Sequence, residues 1–207
     1  MIHKDALIPF VVATQNADKI QEIREILSEF PFQIISMAEV GIEKEIEENG
    51  TTFEENALIK AQAVHNLVGG FVLADDSGLS IDALGGAPGI LSARFNGKDS
   101  TYTDKIQVLW DLLSNVPLSE RTAHFICAIA VVCPDGSHFT VQESMDGIFY
   151  DRMIGENGFG YDPVFYLPEK GKTTAQLSAL EKNEISHRGK ALHAMLAQLR
   201  HAWYSFS

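Results

Sequence analysis

The sequence has few of the features that place a protein outside the cytoplasm. It holds two cysteines, Cys127 and Cys133, and no long apolar run. The longest stretch without a polar side chain, Phe125 to Cys133, is nine residues, whereas a helix needs about twenty to cross a bilayer core. Both cysteines fall around that stretch, and six residues of strand would hold them about 20 Å apart, beyond disulfide reach. Two buried, reduced thiols are therefore expected. The N-terminal residues carry Asp5 and reach the polar Thr14-Gln15-Asn16 after a short apolar stretch. That pattern reads as a strand rather than a signal peptide, and a cytoplasmic location is expected by default. Asn49-Gly50-Thr51 matches the glycosylation acceptor pattern, but without a sign of secretion it is discounted.

Positive charge is scarce as well. Sixteen Lys and Arg stand against 28 Asp and Glu, a formal charge of −12. Such a field repels duplex nucleic acid and argues against a polybasic membrane contact, so neither partner is expected. Small anions are not excluded, because a metal ion and a few local cations can reverse the potential within a site. Repeats, low-complexity tracts and Pro/Gly/Ser-rich linkers are lacking too, so the 207 residues are not divided into separate folding units.

What is present is the composition of a globular chain, 45% hydrophobic and 21% charged. Ala6 to Thr14 reads as a buried strand, Ala17 to Glu29 as an amphipathic helix and Phe32 to Ser36 as a second strand, giving β-α-β. Thr52 and Glu55 have capping-box spacing at the head of a helix that Gly69-Gly70 stops. Phe71 to Ala74 predicts a short strand ending on Asp75-Asp76-Ser77-Gly78, and Thr103 to Ser114 a helix. Ala123 to Cys133 predicts a buried strand that turns at Pro134-Asp135-Gly136-Ser137 into an antiparallel partner. Val164 to Tyr166 reads as another strand. Ser186 caps a last helix carrying Leu192, Met195, Leu196, Leu199 and Trp203. The fold class is α/β, a mixed sheet flanked by helices.

Five segments are more polar or richer in glycine than these elements need. Thr14-Gln15-Asn16-Ala17-Asp18-Lys19 sits at a helix start, whose free amides attract anions; an ordinary Asn16 cap is the competing account. The acidic stretch Glu43, Glu45, Glu47 and Glu48 is a solvated face that could lend one hard-metal ligand. Asp75-Asp76 would be costly to place at a strand end without a cation or hydrogen bonds, although a simple Asx turn is the bland alternative. Gly155 to Pro163 lets backbone approach a ligand, and Phe159 and Tyr161 offer flat faces for a base; a bulged turn would also explain it. Lys182 and Ser186-His187-Arg188-Gly189-Lys190 place cations at a helix start, against the macrodipole, so a bound anion or carbonyl-rich base would suit them. No spacing reads as a zinc site, a P-loop or a nucleophile elbow.

In this order, ATQNADKIQEI, TTFEENALIKA, ADDSGLSIDALGGAPGILSARF, GFGYDPVF and SHRGKAL resemble the inosine triphosphate pyrophosphatase family, which acts on non-standard purine nucleoside triphosphates. The runs span about Val11 to Leu192. The resemblance implies an elongated fold of two lobes with a central cleft, a homodimer, and Mg²⁺-dependent cleavage between the α- and β-phosphates to a nucleoside monophosphate and pyrophosphate. Carried over by motif, the loop Thr14, Gln15, Asn16, Ala17, Asp18 and Lys19 would contact the triphosphate, as would Lys60. Asp76 would be the general base and a metal carboxylate, with Ser77 beside it and Asp75 the alternative. Glu47 would be the second metal carboxylate, with Glu48 its rival. Phe159, Gly160, Tyr161 and Asp162, together with Lys182, His187 and Arg188, would hold the base. Gln15 departs from the family's small residue at its position. A Maf-like pyrophosphatase for modified pyrimidine triphosphates and a non-catalytic nucleotide sensor are the alternative functions.

Overall fold

The computed structural model describes residues 7–97 and 99–205, with side chains described as far as Leu199. The expectations placed on Asp5, Ala6 and the Trp203 side chain lie outside the described residues. Two compact units emerge. The first comprises Met1–Asp76, Ala128–Gln142 and Ala191–Ser207, and the second Ser77–Cys127 and Glu143–Lys190.

The first unit opens with β1 (Ile8–Val12), α1 (Ala17–Ile26) and β2 (Phe32–Ser36). The two strands are parallel, with Ile8 opposite Phe32 and Val12 opposite Ser36. Phe10, 1% exposed, lies edge-on to Phe32 at 4.9 Å and stacks on Phe71 at 4.8 Å. Burying aromatic and β-branched residues on both faces of β1 is what places it inside a parallel sheet. Asn16 caps α1 by accepting from the Lys19 amide at 3.1 Å. The helix stops at Ile26, short of the expected Glu29, and closes in a tight turn through Leu27 and Phe30.

α2 (Phe53–Val68) is capped by Thr52, whose hydroxyl accepts from the Glu55 amide at 3.1 Å. The expected reciprocal contact is displaced by one residue, because Glu55 turns its carboxylate onto the amide and hydroxyl of Thr51 at 2.6 and 2.8 Å. Gly69 ends the helix at φ 64°. The larger correction concerns β3, which runs from Phe71 to Ile81 and does not end at Ala74. Asp75 and Asp76 therefore stand within a strand, not at its carboxyl end. Successive strand residues face opposite ways, so the two carboxyls are presented to different neighbours.

The second unit takes up the rest of β3 and adds α3 (Tyr102–Leu112), capped by a Thr101–Asp104 box. β4 (Thr122–Val132) and β5 (His138–Phe149) form the expected hairpin, and Cys127 and Cys133 are buried thiols. β6 (Phe165–Leu167) and β7 (Lys172–Thr173) follow as antiparallel strands. The full sheet has the order β2-β1-β3-β4-β5-β6-β7. The core of this unit holds Leu79, Ile106, Leu109, Phe125, Phe149 and Phe165, with Phe125 and Phe165 stacked at 4.1 Å.

α4 (Ala179–Ile185), capped by a Ser178–Glu181 box, was not anticipated, and it carries Lys182. α5 (His187–Ser205) begins after a single residue, Ser186, whose hydroxyl accepts from the Gly189 amide at 3.0 Å. That elbow needs a glycine at 189. A Cβ there would lie 1.9 Å from the Asn183 carbonyl oxygen. Alanine ordinarily favours a helix over glycine by up to about 1 kcal/mol, but a contact with backbone that cannot yield reverses the sign. Gly189→Ala is expected to cost about 1–3 kcal/mol, read as a lower urea midpoint with an unchanged slope. A midpoint equal to or above wild type would show that α4 and α5 need not approach so closely.

Candidate active site

The first cluster lies in the first unit, around Asp75 and Asp76. Asp75 is 0% exposed, and its Oδ1 accepts from the Lys19 ammonium at 2.5 Å. Lys60, near the middle of α2, donates to the Asp75 carbonyl at 2.9 Å, to Asp76 Oδ1 at 3.0 Å and to Glu48 Oε1 at 2.7 Å. Asp76 is 6% exposed, and its second oxygen, Oδ2, is buried without a hydrogen-bond partner among the described residues. A carboxylate oxygen in that position is costly unless something else comes to it.

Burial is the main influence on Asp76 and raises its pKa above the ordinary 3.8, against the attraction of Lys60 and Lys19; Glu48 pushes it further up. Burial opposes the charge on Lys60, but Asp76 and Glu48 together outweigh it and hold its pKa above the usual lysine value. The cluster therefore sets two ammonium groups against three carboxylates. A polyphosphate would meet net negative charge there, and a divalent cation would correct the balance. Among the described residues no group of three or more His, Cys, Asp or Glu forms a metal cage. Mg²⁺ does not require one, because it is commonly held by one or two carboxylates plus substrate phosphates and water. The orphaned Asp76 Oδ2 fits that kind of ligation.

The remaining residues expected to contact a triphosphate are also placed. The Asn16 amide donates to the Thr14 hydroxyl at 3.2 Å. Gln15 turns outward and donates to the Glu43 carbonyl at 2.7 Å, so it ties the loop to the acidic segment. Ala17 and Asp18 are exposed in the first turn of α1. Of the two rival glutamates, Glu48 is the one that meets Lys60, while Glu47 is exposed.

The second cluster lies in the second unit and is organised by Asp162, 2% exposed. Its Oδ2 accepts from the Lys182 ammonium at 2.5 Å and the Phe159 amide at 2.9 Å, and its Oδ1 from the Thr174 hydroxyl at 2.8 Å. The Lys182 ammonium stands 5.1 Å from the half-buried Phe159 ring centre, and the Arg188 guanidinium 5.7 Å from it. Arg188 also donates to the Ser77 hydroxyl at 2.9 Å. Gly158, at φ 72°, admits this arrangement, since a Cβ there would fall 2.1 Å from Asp162 Oδ2.

Two of the residues expected to hold the base are committed to packing. Tyr161 is 4% exposed, its ring edge-on to Tyr102 at 5.1 Å and its hydroxyl donating to the Ser92 carbonyl at 3.0 Å. Burial pushes its pKa up, and Tyr102 adds to the rise. His187, 6% exposed, stacks on Phe125 at 4.9 Å. Gly160 sits at φ 68° against Tyr102. Thr174 and Ser92 were not singled out in the sequence. The T-x-x-Q spacing of Thr173 and Gln176 could have located the turn that begins at Thr174, and the S-x-x-E spacing of Ser178 and Glu181 could have located α4 and with it the setting of Lys182.

Comparison with known proteins places the chain in a family. The model of the Ham1 family matches residues 10–198, and the chain belongs to that family. The chain is 47% identical over 188 residues to a dITP/XTP pyrophosphatase of Caldanaerobacter subterraneus subsp. tengcongensis, covering 90% of this chain and 93% of the relative. It is 46% identical over 182 residues to the dITP/XTP pyrophosphatase of Bacillus subtilis, with 88% and 92% covered. The Ham1 protein of Coxiella burnetii superposes with a TM-score of 0.85 at 39% identity, covering 94% of this chain and all of that one (100%). The Ham1 protein of Staphylococcus aureus gives 0.83, also at 39%, with 94% and 99% covered. The resemblance drawn from the five motifs is borne out.

The charge arrangement makes a prediction for the ligand-free protein. A carboxyl whose folded pKa is raised binds its proton more tightly folded than unfolded, so its contribution to stability is largest below 3.8 and is lost as pH rises through the raised midpoint. Carboxyl-carbon NMR should place the Asp76 midpoint above 3.8. Lys60→Met removes an attraction and should move the midpoint up, whereas Glu48→Gln removes a repulsion and should move it down. Shifts of the same sign in both variants would contradict this electrostatic account.

Proposed function

We propose that this protein hydrolyses non-standard purine nucleoside triphosphates, namely inosine, deoxyinosine and xanthosine triphosphates, to the monophosphate and pyrophosphate, with Mg²⁺ as cofactor. Membership of the Ham1 family and the activity for which its relatives are named support the substrate class. The observation that carries the chemistry is Asp76, a buried carboxyl with one oxygen on Lys60 and the other without a partner among the described residues.

In this reading, residues of the first cluster take the triphosphate. A water attacks the α-phosphorus, the bond to the oxygen bridging the α- and β-phosphorus breaks, and pyrophosphate leaves. Asp76 is the proposed acceptor of the attacking water's proton in this reading. Asp75 is the weaker candidate because its carboxylate is already engaged by Lys19. Lys19 and Lys60 exchange part of their carboxylate contacts for phosphate oxygens and stabilise charge developing on the leaving group. The Thr14–Asp18 loop supplies amides at the start of α1. A bound Mg²⁺ would supply charge neutralisation to the phosphates. Asp76 and Glu47 are its proposed ligands, with Glu48, which meets Lys60, the rival to Glu47.

The second cluster takes the base. Phe159 and Gly160 offer a face and close backbone, Asp162 holds Lys182, and Tyr161 and His187 fix the surroundings by packing. Lys182, Arg188 and Ser77 present donors. Hypoxanthine and xanthine offer a carbonyl where adenine offers an amino group, so adenine would leave a buried donor unpaired. Sites of this kind reject the wrong partner by up to about 10⁴-fold. A homodimer of whole chains, acting in the cytoplasm, completes the proposal. In the described residues no helix is long and apolar enough to cross a membrane.

Pyrophosphate release from a panel of purine and pyrimidine triphosphates, with and without Mg²⁺, tests the reading. Fast Mg²⁺-dependent release from inosine and xanthosine triphosphates is expected, reduced by about 10²-fold or more in Asp76→Asn. Binding without release would mean a sensor, and preference for modified pyrimidines a Maf-like enzyme. Arg188→Ala should lower the ratio of inosine to adenosine triphosphate turnover more than it lowers turnover of a shared minimal substrate, inorganic triphosphate. An unchanged ratio would remove Arg188 from base selection.

A further inference from the structure

We infer that Thr174 is a positioning residue for base recognition, acting through the Asp162 carboxylate. The inference rests on the proposed function and extends it to a residue that reaches the proposed base-holding groups through Asp162. Asp162 has three partners, and only one of them lies outside the group that faces the base. Oδ2 takes both the Lys182 ammonium and the Phe159 amide, while Oδ1 takes the Thr174 hydroxyl at 2.8 Å. The same hydroxyl lies 3.1 Å from the Asp162 carbonyl oxygen. Thr174 is 0% exposed.

The segment that carries Thr174 is a fixed wall. Thr173, also 0% exposed, donates its hydroxyl to the Ile154 carbonyl at 2.6 Å and forms a capping box with Gln176. Asn157 is strapped to the same wall through its amide to the Ala175 carbonyl at 3.1 Å and its side chain to the Leu177 carbonyl at 2.9 Å. A Cβ on Gly155 would fall 2.4 Å from that same Ala175 carbonyl, so the backbone is pressed against it. These contacts hold the loop in general. Thr174 is distinct because it reaches the carboxylate that holds Lys182.

Its effect follows from hydrogen-bond accounting. With the hydroxyl in place, the Asp162 carboxylate has one orientation, Oδ1 to the wall and Oδ2 to Phe159 and Lys182. Without it, Oδ1 is a buried carboxylate oxygen with nothing to accept from, and the carboxylate gains by rotating toward the remaining cation. Lys182 and the Phe159 amide then shift together. The Lys60–Asp76 cluster is not part of that network, so the chemical step is expected to be spared.

The test is steady-state kinetics on inosine triphosphate with Mg²⁺ for wild type, Thr174→Val and Thr174→Ser. Thr174→Val keeps the shape and removes the donor, and is expected to raise KM about tenfold with kcat within about twofold of wild type. Thr174→Ser keeps the donor and is expected to restore KM to within about twofold. In a Lys182→Met background, Thr174→Val should add little, because the group it positions is gone. An unchanged KM in Thr174→Val, an equal fall in kcat, or additive effects with Lys182→Met would each overturn the inference. If Thr174→Val proves unfolded by circular dichroism, Thr174→Ala, which also removes the donor, takes its place with the same expected rise in KM, and an unchanged KM there overturns the inference; a tenfold KM in Thr174→Ser would implicate the methyl group and not the hydroxyl. A wild-type enzyme that releases no pyrophosphate from any purine triphosphate would instead refute the function itself, whatever the variants do.

Discussion

Two adjacent carboxylates within a β-strand are the constraint around which the first unit is arranged. Neither can be placed in a sheet interior alone, because the desolvation cost of an unpaired buried charge is several kcal/mol. Alternation along β3 sends the two side chains apart, and each is met by a lysine from a different helix, Lys19 of α1 for Asp75 and Lys60 of α2 for Asp76. The helices are thereby tied to the strand by charge as well as by their apolar faces. Asp75 is fully matched. Asp76 is matched on one oxygen only, and that incompleteness separates a structural carboxylate from one suited to chemistry.

The second unit solves a similar problem with one carboxylate. Asp162 gathers an ammonium, a backbone amide and a hydroxyl, and through them sets what flanks the Phe159 ring. The cations come from two helices joined at a one-residue elbow. Lys182 lies in the last turn of α4, where a positive charge suits the macrodipole, whereas Arg188 lies in the first turn of α5, where it does not. Its contacts with Ser77 and the Phe159 ring offset that disadvantage.

Elements governed by local chemistry were legible in the sequence. The β-α-β opening, the caps of α1 and α2 and the hairpin after Cys133 depend on residues close in sequence, and they form as expected. Elements governed by distant partners were not. Asp-Asp-Ser-Gly has poor strand propensity and reads as a turn, whereas its neighbours in the sheet are β1 and β4, and the lysine that meets Asp75 is 56 residues away. Tyr161 and His187 looked like ligands because aromatic and imidazole rings beside glycines are ambiguous until burial is known. The choice between Glu48 and Glu47 as the partner of Lys60 depends on the path of an irregular acidic segment, for which no periodicity exists to be read.

The division of the chain into units has a consequence for how the molecule can be taken apart. The second unit is drawn from two segments, and the tip of the β4–β5 hairpin between them, Ala128–Gln142, belongs to the first. The peptide bond after Asp76 passes directly from one unit to the other. No single cut therefore yields either unit whole, and neither can complete its set of strands before distant parts of the chain have met. Such interleaving raises the sequence separation of native contacts and slows folding.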